Sequence, residues 1–269
     1  MPVVRDAAWI EREYGREKWP AIERLVDEVV ERENDLVRVV SEVARRERYP
    51  QGPLARVEAV FGGGRAEVPA AVARGGYQAL IVDTALEHCS ADTDLVVELG
   101  SGWGRNLFLT WLAGGPRRAR YVAAEYTAAG RRVAARLASL APGLDLASIP
   151  FDYHAPDLGL VTAGRRALVF TAHSVEQIAH LPQTVVDRVR GLADEVTCIH
   201  FEPVGWQFRE RDLEGSSERY AAEHDYSANL ASLLQERARA GELELLAVIP
   251  EAVGVNPANA TTVVVWRSL

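Results

Sequence analysis

Apolar residues in the first part of the chain recur at helical spacing. Ile22, Leu25, Val26, Val29 and Val30, then Leu36, Val37, Val40, Val43 and Ala44, fall on one face, and charged residues fill the other. The run Tyr49-Pro50-Gln51-Gly52-Pro53 ends this helical region, because proline cannot continue a helix and glycine favours a turn. A second break at Gly62-Gly63-Gly64 precedes another helical stretch, from about 77 to 89. No strand pattern is legible before residue 94.

From there the pattern alternates between strand and helix. Residues 94–99 (DLVVEL) form a short apolar run followed by glycines, and 105–113 reads as helix. The next strand is 120–125 (RYVAAE), with Thr127 placed to cap a helix through Leu140. A weaker third strand is expected at 144–149, a fourth at 167–171 (ALVFT) and a fifth at 196–201 (VTCIHF), with a helix at 184–192 between the last two. A helix at 227–240 and two strands, 242–249 and 261–266, close the chain. Repeated strand–helix units imply a parallel sheet covered on both faces. The last two strands have no helix between them and are expected to pair antiparallel. The expected architecture is therefore α/β and Rossmann-like: a seven-stranded sheet with its last strand antiparallel. A helical extension (1–90) precedes the sheet domain (91–269).

The segment Glu98-Leu99-Gly100-Ser101-Gly102-Trp103-Gly104-Arg105-Asn106 ends the first strand and opens a helix. Glycines here permit a sharp turn and close approach of a ligand, and the helix start behind them favours an anionic group. The dinucleotide fingerprint G-x-G-x-x-G would need glycine at position 105, where the chain has Arg105. A carboxylate at Glu98 would repel a pyrophosphate and attract an ammonium. A P-loop is not indicated, since GxxxxGK[ST] is absent. Glu125 ends the second strand, 21 positions after Gly104, at what is expected to be a loop edge. An acid there can accept from both hydroxyls of a ribose. Asp152 follows the third strand in Ile149-Pro150-Phe151-Asp152-Tyr153.

The string E-x-G-x-G-x-G at Glu98, Gly100, Gly102 and Gly104 resembles motif I of the class I S-adenosylmethionine-dependent methyltransferases. The resemblance covers roughly residues 90–269. It implies that S-adenosyl-L-methionine is the cofactor and that Gly100, Ser101, Gly102, Gly104 and Asn106 wrap its methionine end, with Glu98 near the ammonium. It further implies that Glu125 and Tyr126 meet the ribose, and that Asp152 meets the adenine amino group with Phe151 against the ring. In relatives such an N-terminal extension covers the cofactor. Tyr14 and Trp19 could serve that way here, although packing aromatics is the blander reading.

Groups for the chemistry should emerge at the carboxyl ends of the strands, beside the cofactor. His173 follows the fourth strand and titrates in the range of a general base, with Glu176 and Glu202 placed to orient it or to bind a polar substrate. His200 precedes its strand end and reads as structural. His224 sits in a polar segment that could form a lid. No HExxH or comparable close spacing points to a metal site, and no D/N-P-P-Y/F/W string points to amino-group methylation of bases or glutamine amides. A small-molecule acceptor is expected, with oxygen preferred to nitrogen as nucleophile. The rival readings are an NAD(P)-dependent oxidoreductase and a non-catalytic nucleoside-binding subunit of the same fold.

Composition narrows the partners. A net charge of -8 disfavours a nucleic-acid backbone, and the local run Arg117, Arg118, Arg120 reads as a solvated turn. No apolar stretch is long enough to span a bilayer, and acidic residues from Asp6 onward leave no room for a signal peptide. Cys89 and Cys198 form no CxxC pair, so free thiols and a cytoplasmic location are expected. The sequence is silent on oligomeric state.

Overall fold

The computed structural model describes residues 4–159, 164–209 and 216–269. After Asp6, whose carboxylate caps α1 (Ala7–Ile10), the chain passes through a π-helix (Glu11–Lys18) into α2 (Trp19–Val30). The region read as helical up to residue 48 is divided. α2 stops at Val30, and α3 (Leu36–Arg48) restarts with the Asp35 carboxylate accepting from the Arg38 amide at 3.0 Å. The buried stripe of α2 (Ile22, Val26, Val29) follows the spacing read from the sequence.

The expectation of no strand before residue 94 is corrected. β1 (Arg56–Phe61) and β2 (Gly64–Pro69) form an antiparallel hairpin in which Phe61 pairs with Gly64 across Gly62 and Gly63. Those two glycines sit at φ +56° and +80°, the left-handed region that a two-residue hairpin turn of matching twist requires. The hairpin joins the sheet through Val60 and Phe61, which pair with Gly254 and Val253. Its outer strand is mostly exposed and charged, with Arg56 bridging Glu67 at 2.9 Å, a device that blunts a sheet edge.

α4 (Ala70–Glu87) leads into the sheet. Its strands are β3 (Leu95–Leu99), β4 (Arg120–Glu125), β5 (Leu146–Pro150), β6 (Arg166–Ala172), β7 (Glu195–Glu202), β8 (Leu243–Gly254) and β9 (Thr261–Ser268). Among the described residues the sheet, with the hairpin, has nine strands rather than seven, in the order β2-β1-β8-β9-β7-β6-β3-β4-β5. β3 to β7 run parallel, and β9 is antiparallel to both β7 and β8. Between them lie α5 (Arg105–Leu112), α6 (Ala128–Ala138), α7 (Gln183–Arg190), α8 (Ser216–Glu223) and α9 (Leu230–Arg239). β3 is buried along its whole length, as a central parallel strand covered on both faces must be.

Two hydrophobic cores flank the sheet. On one face the extension helices pack in: Ile22, Val26, Val40 and Ile81 share a core with Phe108, Val133, Leu137 and Phe170. On the other face Val185 and Val189 of α7 and Leu233 and Leu234 of α9 pack on Val97, Val169 and Trp266. The extension and the sheet thus bury apolar surface together. The chain leaves β3 in one direction to β4 and β5, then crosses back to β6. The switch of direction opens a crevice at the carboxyl ends of β3 and β6, where ligands bind in open α/β sheets. Register aligns those ends: Leu99 pairs with Ala124 and with Thr171. No helix among the described residues is long and apolar enough to cross a membrane.

Candidate functional site

A cavity fills this crevice. Its floor is the turn after β3. Gly100, Gly102 and Gly104 all have positive φ, and at Gly102 (φ +56°) a Cβ would also fall 2.7 Å from the Trp19 ring. Only glycine meets both demands there. Gly100, Ser101, Gly102 and Asn106 line the cavity with Trp103 and Arg105. Gly104 does not. It sits behind the loop against Phe108 of α5 and Ala134 of α6.

Glu98 lies at the back, 2% exposed. One carboxylate oxygen accepts from the Asn106 amide at 2.6 Å, and Asn106 is held in turn by Gln78 at 3.3 Å and, beyond it, Arg48. The other oxygen of Glu98 is buried without a partner, as is the hydroxyl of Ser101. Burial pushes the Glu98 carboxyl up to about 8, against the lowering effect of Asn106. A buried carboxylate oxygen without a donor is costly, and a ligand ammonium would satisfy it.

Glu125 is 6% exposed, so the loop-edge expectation is corrected. One oxygen accepts from the Gly102 amide at 2.9 Å and ties the glycine turn to β4. The other accepts from the amide and hydroxyl of Thr127 at 2.9 and 2.7 Å, just before α6. Glu125, Tyr126, Phe151 and Asp152 all line the cavity, Tyr126 at its open side and 38% exposed. Phe151 packs edge-on to Tyr153 with 4.9 Å between centroids, and the Tyr153 hydroxyl bridges Leu99 and Ser174.

His173 lines the wall at the end of β6. Its backbone is left-handed (φ 52°), rare for a side chain with a Cβ and typical of strained functional positions. Nδ1 lies 2.8 Å from Glu176 and Nε2 2.7 Å from the Thr261 hydroxyl, while the ring meets Tyr77 edge-on. Burial works against its charged form, but Glu176 in contact and Glu202 behind outweigh that and hold its pKa above the ordinary imidazole value.

The two carboxylates expected beside His173 have different places. Glu176 touches His173 and receives the Gln177 amide at 2.7 Å, and it is absent from the described lining. Glu202 is fully buried and also absent from the lining. Its oxygens accept from the amides of Ser174, Val175 and Glu176, each at 3.1 Å. It therefore clamps the turn after β6 from the end of β7, and direct contact with a substrate is corrected to that role. Burial, then Glu176, pushes its carboxyl up to about 7. His200 sits inside the sheet between Thr171 and Trp266, away from the cavity.

Sequence reasoning raised Tyr14 and Trp19 as a possible roof but set packing above that reading, and it did not find Arg5, Ile10 or Lys18. Ile10, Tyr14, Lys18 and Trp19 line the cavity from the N-terminal segment, with Arg5 at its rim. Arg5 donates to Gln177 and to the His224 carbonyl, and stacks on Trp9 and Tyr226. His224 stacks on Tyr220 beside it, so the polar segment around it meets the roof. Tyr14 and Trp19 thus both pack and face the cavity. The aromatic spacing was the available signal. Which side it faced depended on the turn geometry of the π-helix.

No family model and no curated protein matches this chain. Among solved structures it is similar to magnesium protoporphyrin IX methyltransferase (ChlM) from Synechocystis PCC 6803, which has S-adenosylhomocysteine bound. The identity is 13%, the TM-score 0.52, and the match covers 85% of this chain and 94% of that one. A SAM-dependent methyltransferase from Aquifex aeolicus matches at 15% identity and TM-score 0.47, over 71% and 93% of the chains. The CcbJ methyltransferase from Streptomyces caelestis matches at 18% and 0.44, over 72% and 89%. The chain has the fold of the class I S-adenosylmethionine-dependent methyltransferases.

Proposed function

We propose that the chain binds S-adenosylmethionine in this cavity and transfers its methyl group to a small-molecule acceptor, with oxygen as nucleophile. The observation that carries the reading is the half-satisfied carboxylate of Glu98 beside a glycine turn. A buried acid facing the cavity suits the ammonium of an amino acid, which favours its charged form. The fold shared with a methyltransferase crystallised with S-adenosylhomocysteine supports it.

The cofactor supplies an electrophilic methyl on a sulfonium. The chain must then hold the acceptor, exclude water and take a proton. Glu176 fixes the His173 ring through Nδ1, so that Nε2 faces Thr261 with its lone pair. An acceptor hydroxyl that replaces the Thr261 hydroxyl at Nε2 would give its proton to His173. Glu202 acts through the backbone, fixing the turn that carries both residues. The aromatic roof of Tyr14 and Trp19 covers part of the cavity. A covered cavity in a chain of net charge -8 favours a small acceptor over a nucleic acid.

Calorimetry with S-adenosylhomocysteine and with NAD tests the reading. Binding of the first without the second is expected. Binding of NAD alone would replace the methyltransferase by an oxidoreductase, and nucleoside binding without methyl transfer to any of a panel of hydroxylated small molecules would leave a non-catalytic subunit.

A further inference from the structure

The roof carries a lysine, Lys18, held against two aromatic rings. Ile10, Tyr14 and Lys18 line the cavity at four-residue intervals along α1 and the π-helix. π-helical turns are mostly single turns at functional sites. This one spans eight residues and passes into α2 through the Trp19 amide donating to the Tyr14 carbonyl. The Trp19 ring that follows is seated on Gly102 of the turn after β3. The Lys18 ammonium stands 4.7 Å from the centre of that ring and 5.1 Å from the centre of Tyr14. One aromatic ring therefore separates it from the glycine turn.

Lys18 takes part in no ion pair among the described residues. The acid that acts on it most strongly, Glu47, is already engaged. One of its oxygens accepts from Arg105 at 3.0 Å and from the Trp103 indole at 3.3 Å. Burial lowers the Lys18 pKa, the signature of an ammonium held where water is scarce. The floor of the same cavity offers the opposite imbalance, the Glu98 oxygen without a donor. A cavity with an unpaired cation in its roof and an unpaired acid in its floor is complementary to a zwitterion. The amino-acid end of S-adenosylmethionine is one.

We propose that Lys18 binds the α-carboxylate of the cofactor, so that the N-terminal extension supplies one half of the amino-acid recognition and Glu98 the other. The inference rests on the cofactor reading above. It gives the extension a chemical task in addition to packing, because Arg105, the cation that the sheet domain itself brings to the lining, is already held by Glu47.

Two ligands that differ only at that end provide the test. S-adenosylhomocysteine carries the amino acid, whereas 5′-methylthioadenosine keeps the adenosine and thioether and lacks it. Calorimetry on the intact chain should show that Lys18→Gln weakens S-adenosylhomocysteine roughly tenfold or more, the scale of a lost charge-assisted hydrogen bond. It should leave 5′-methylthioadenosine unchanged, which also shows that the variant is folded. Lys18→Arg should keep most of the affinity. Unchanged S-adenosylhomocysteine binding in Lys18→Gln overturns the proposal, including the case in which only the Michaelis constant of an acceptor rises. An equal loss for both ligands overturns it too, and assigns Lys18 to packing of the roof. A wild-type chain that binds neither ligand refutes the cofactor reading itself, a separate result from either of these.

Discussion

Glu98 is poised to change its protonation when a ligand arrives. Its carboxyl is raised to about 8 by burial, so at pH 7 the empty site holds it mostly protonated. A ligand ammonium at the free oxygen favours the carboxylate and lowers that pKa. Binding of S-adenosylhomocysteine at pH 7 should therefore release a proton. Calorimetry in buffers of different ionisation enthalpy measures it, and Glu98→Gln should abolish the release. His173 follows the opposite logic. Its pKa is raised because Glu176 outweighs burial, so the neutral base form is reached only above the ordinary imidazole range. Glu176→Gln removes the larger attraction and leaves Glu202 alone against burial, which lowers the pKa. The acidic limb of the kcat/KM profile should move to lower pH in that variant, while His173→Ala should slow turnover by about 10²–10⁴ with cofactor affinity nearly intact. An unmoved limb in Glu176→Gln would mean that another group titrates there.

Among elements, the join between β6 and β7 matters most. Three amides of the turn after β6 end on the Glu202 carboxylate, which β7 delivers from the neighbouring register position. Removing it leaves three buried donors without an acceptor. Glu202→Ala should lower stability by roughly 3 kcal/mol or more, and Glu202→Gln, which still offers one oxygen, by less. Chemical denaturation measures both. Equal stability of wild type and Glu202→Ala would show that the turn needs no clamp, and a selective loss of turnover in a stable Glu202→Gln would return Glu202 to the chemistry. The hairpin shows a different relation between element and sequence. Its Gly62-Gly63 turn was written plainly in the chain. It reads as a break because β1 and β2 lack a long apolar alternation, and β2 has no buried residue and a single partner strand. Edge strands need little hydrophobic pattern, so they leave little.

At the scale of the molecule, stability should depend on pH through buried titratable groups inside and outside the cavity. His200 is buried in the sheet, accepts from the Trp266 indole at 3.0 Å, and has its pKa pushed down to about 4. A depressed folded-state value means that its contribution is complete above the unfolded value near 6.5 and is lost as pH falls through about 4. Glu98 and Glu202 act in the opposite direction, because raised carboxyls favour the fold at low pH and lose that effect as pH rises. The comparison of wild type with His200→Gln isolates the histidine. The gap in their unfolding free energies should narrow by roughly 3 kcal/mol as pH falls from about 6.5 through about 4. A gap independent of pH would show that His200 does not titrate with folding.

What the sequence by itself determined is local. The strand at Arg120–Glu125 with Thr127 capping the helix behind it, the buried run at Leu95–Leu99 and the glycine turn were all legible, because apolar period, caps and glycines act within a few residues. The candidate acids Glu98, Glu125 and Asp152 were legible for the same reason, since each sits at the end of a strand or just past it. What tertiary structure decided was the partner of each group. Glu125 and Glu202 look alike in sequence, one acid at the end of each strand, yet both turn out to bind backbone amides of a neighbouring turn. The roof over the glycine turn was decided in the same way. Trp19 meets Gly102 across more than eighty residues of chain because α2 packs on α6. Local spacing fixes which face of a helix is apolar; only the packing of distant elements fixes what that face covers.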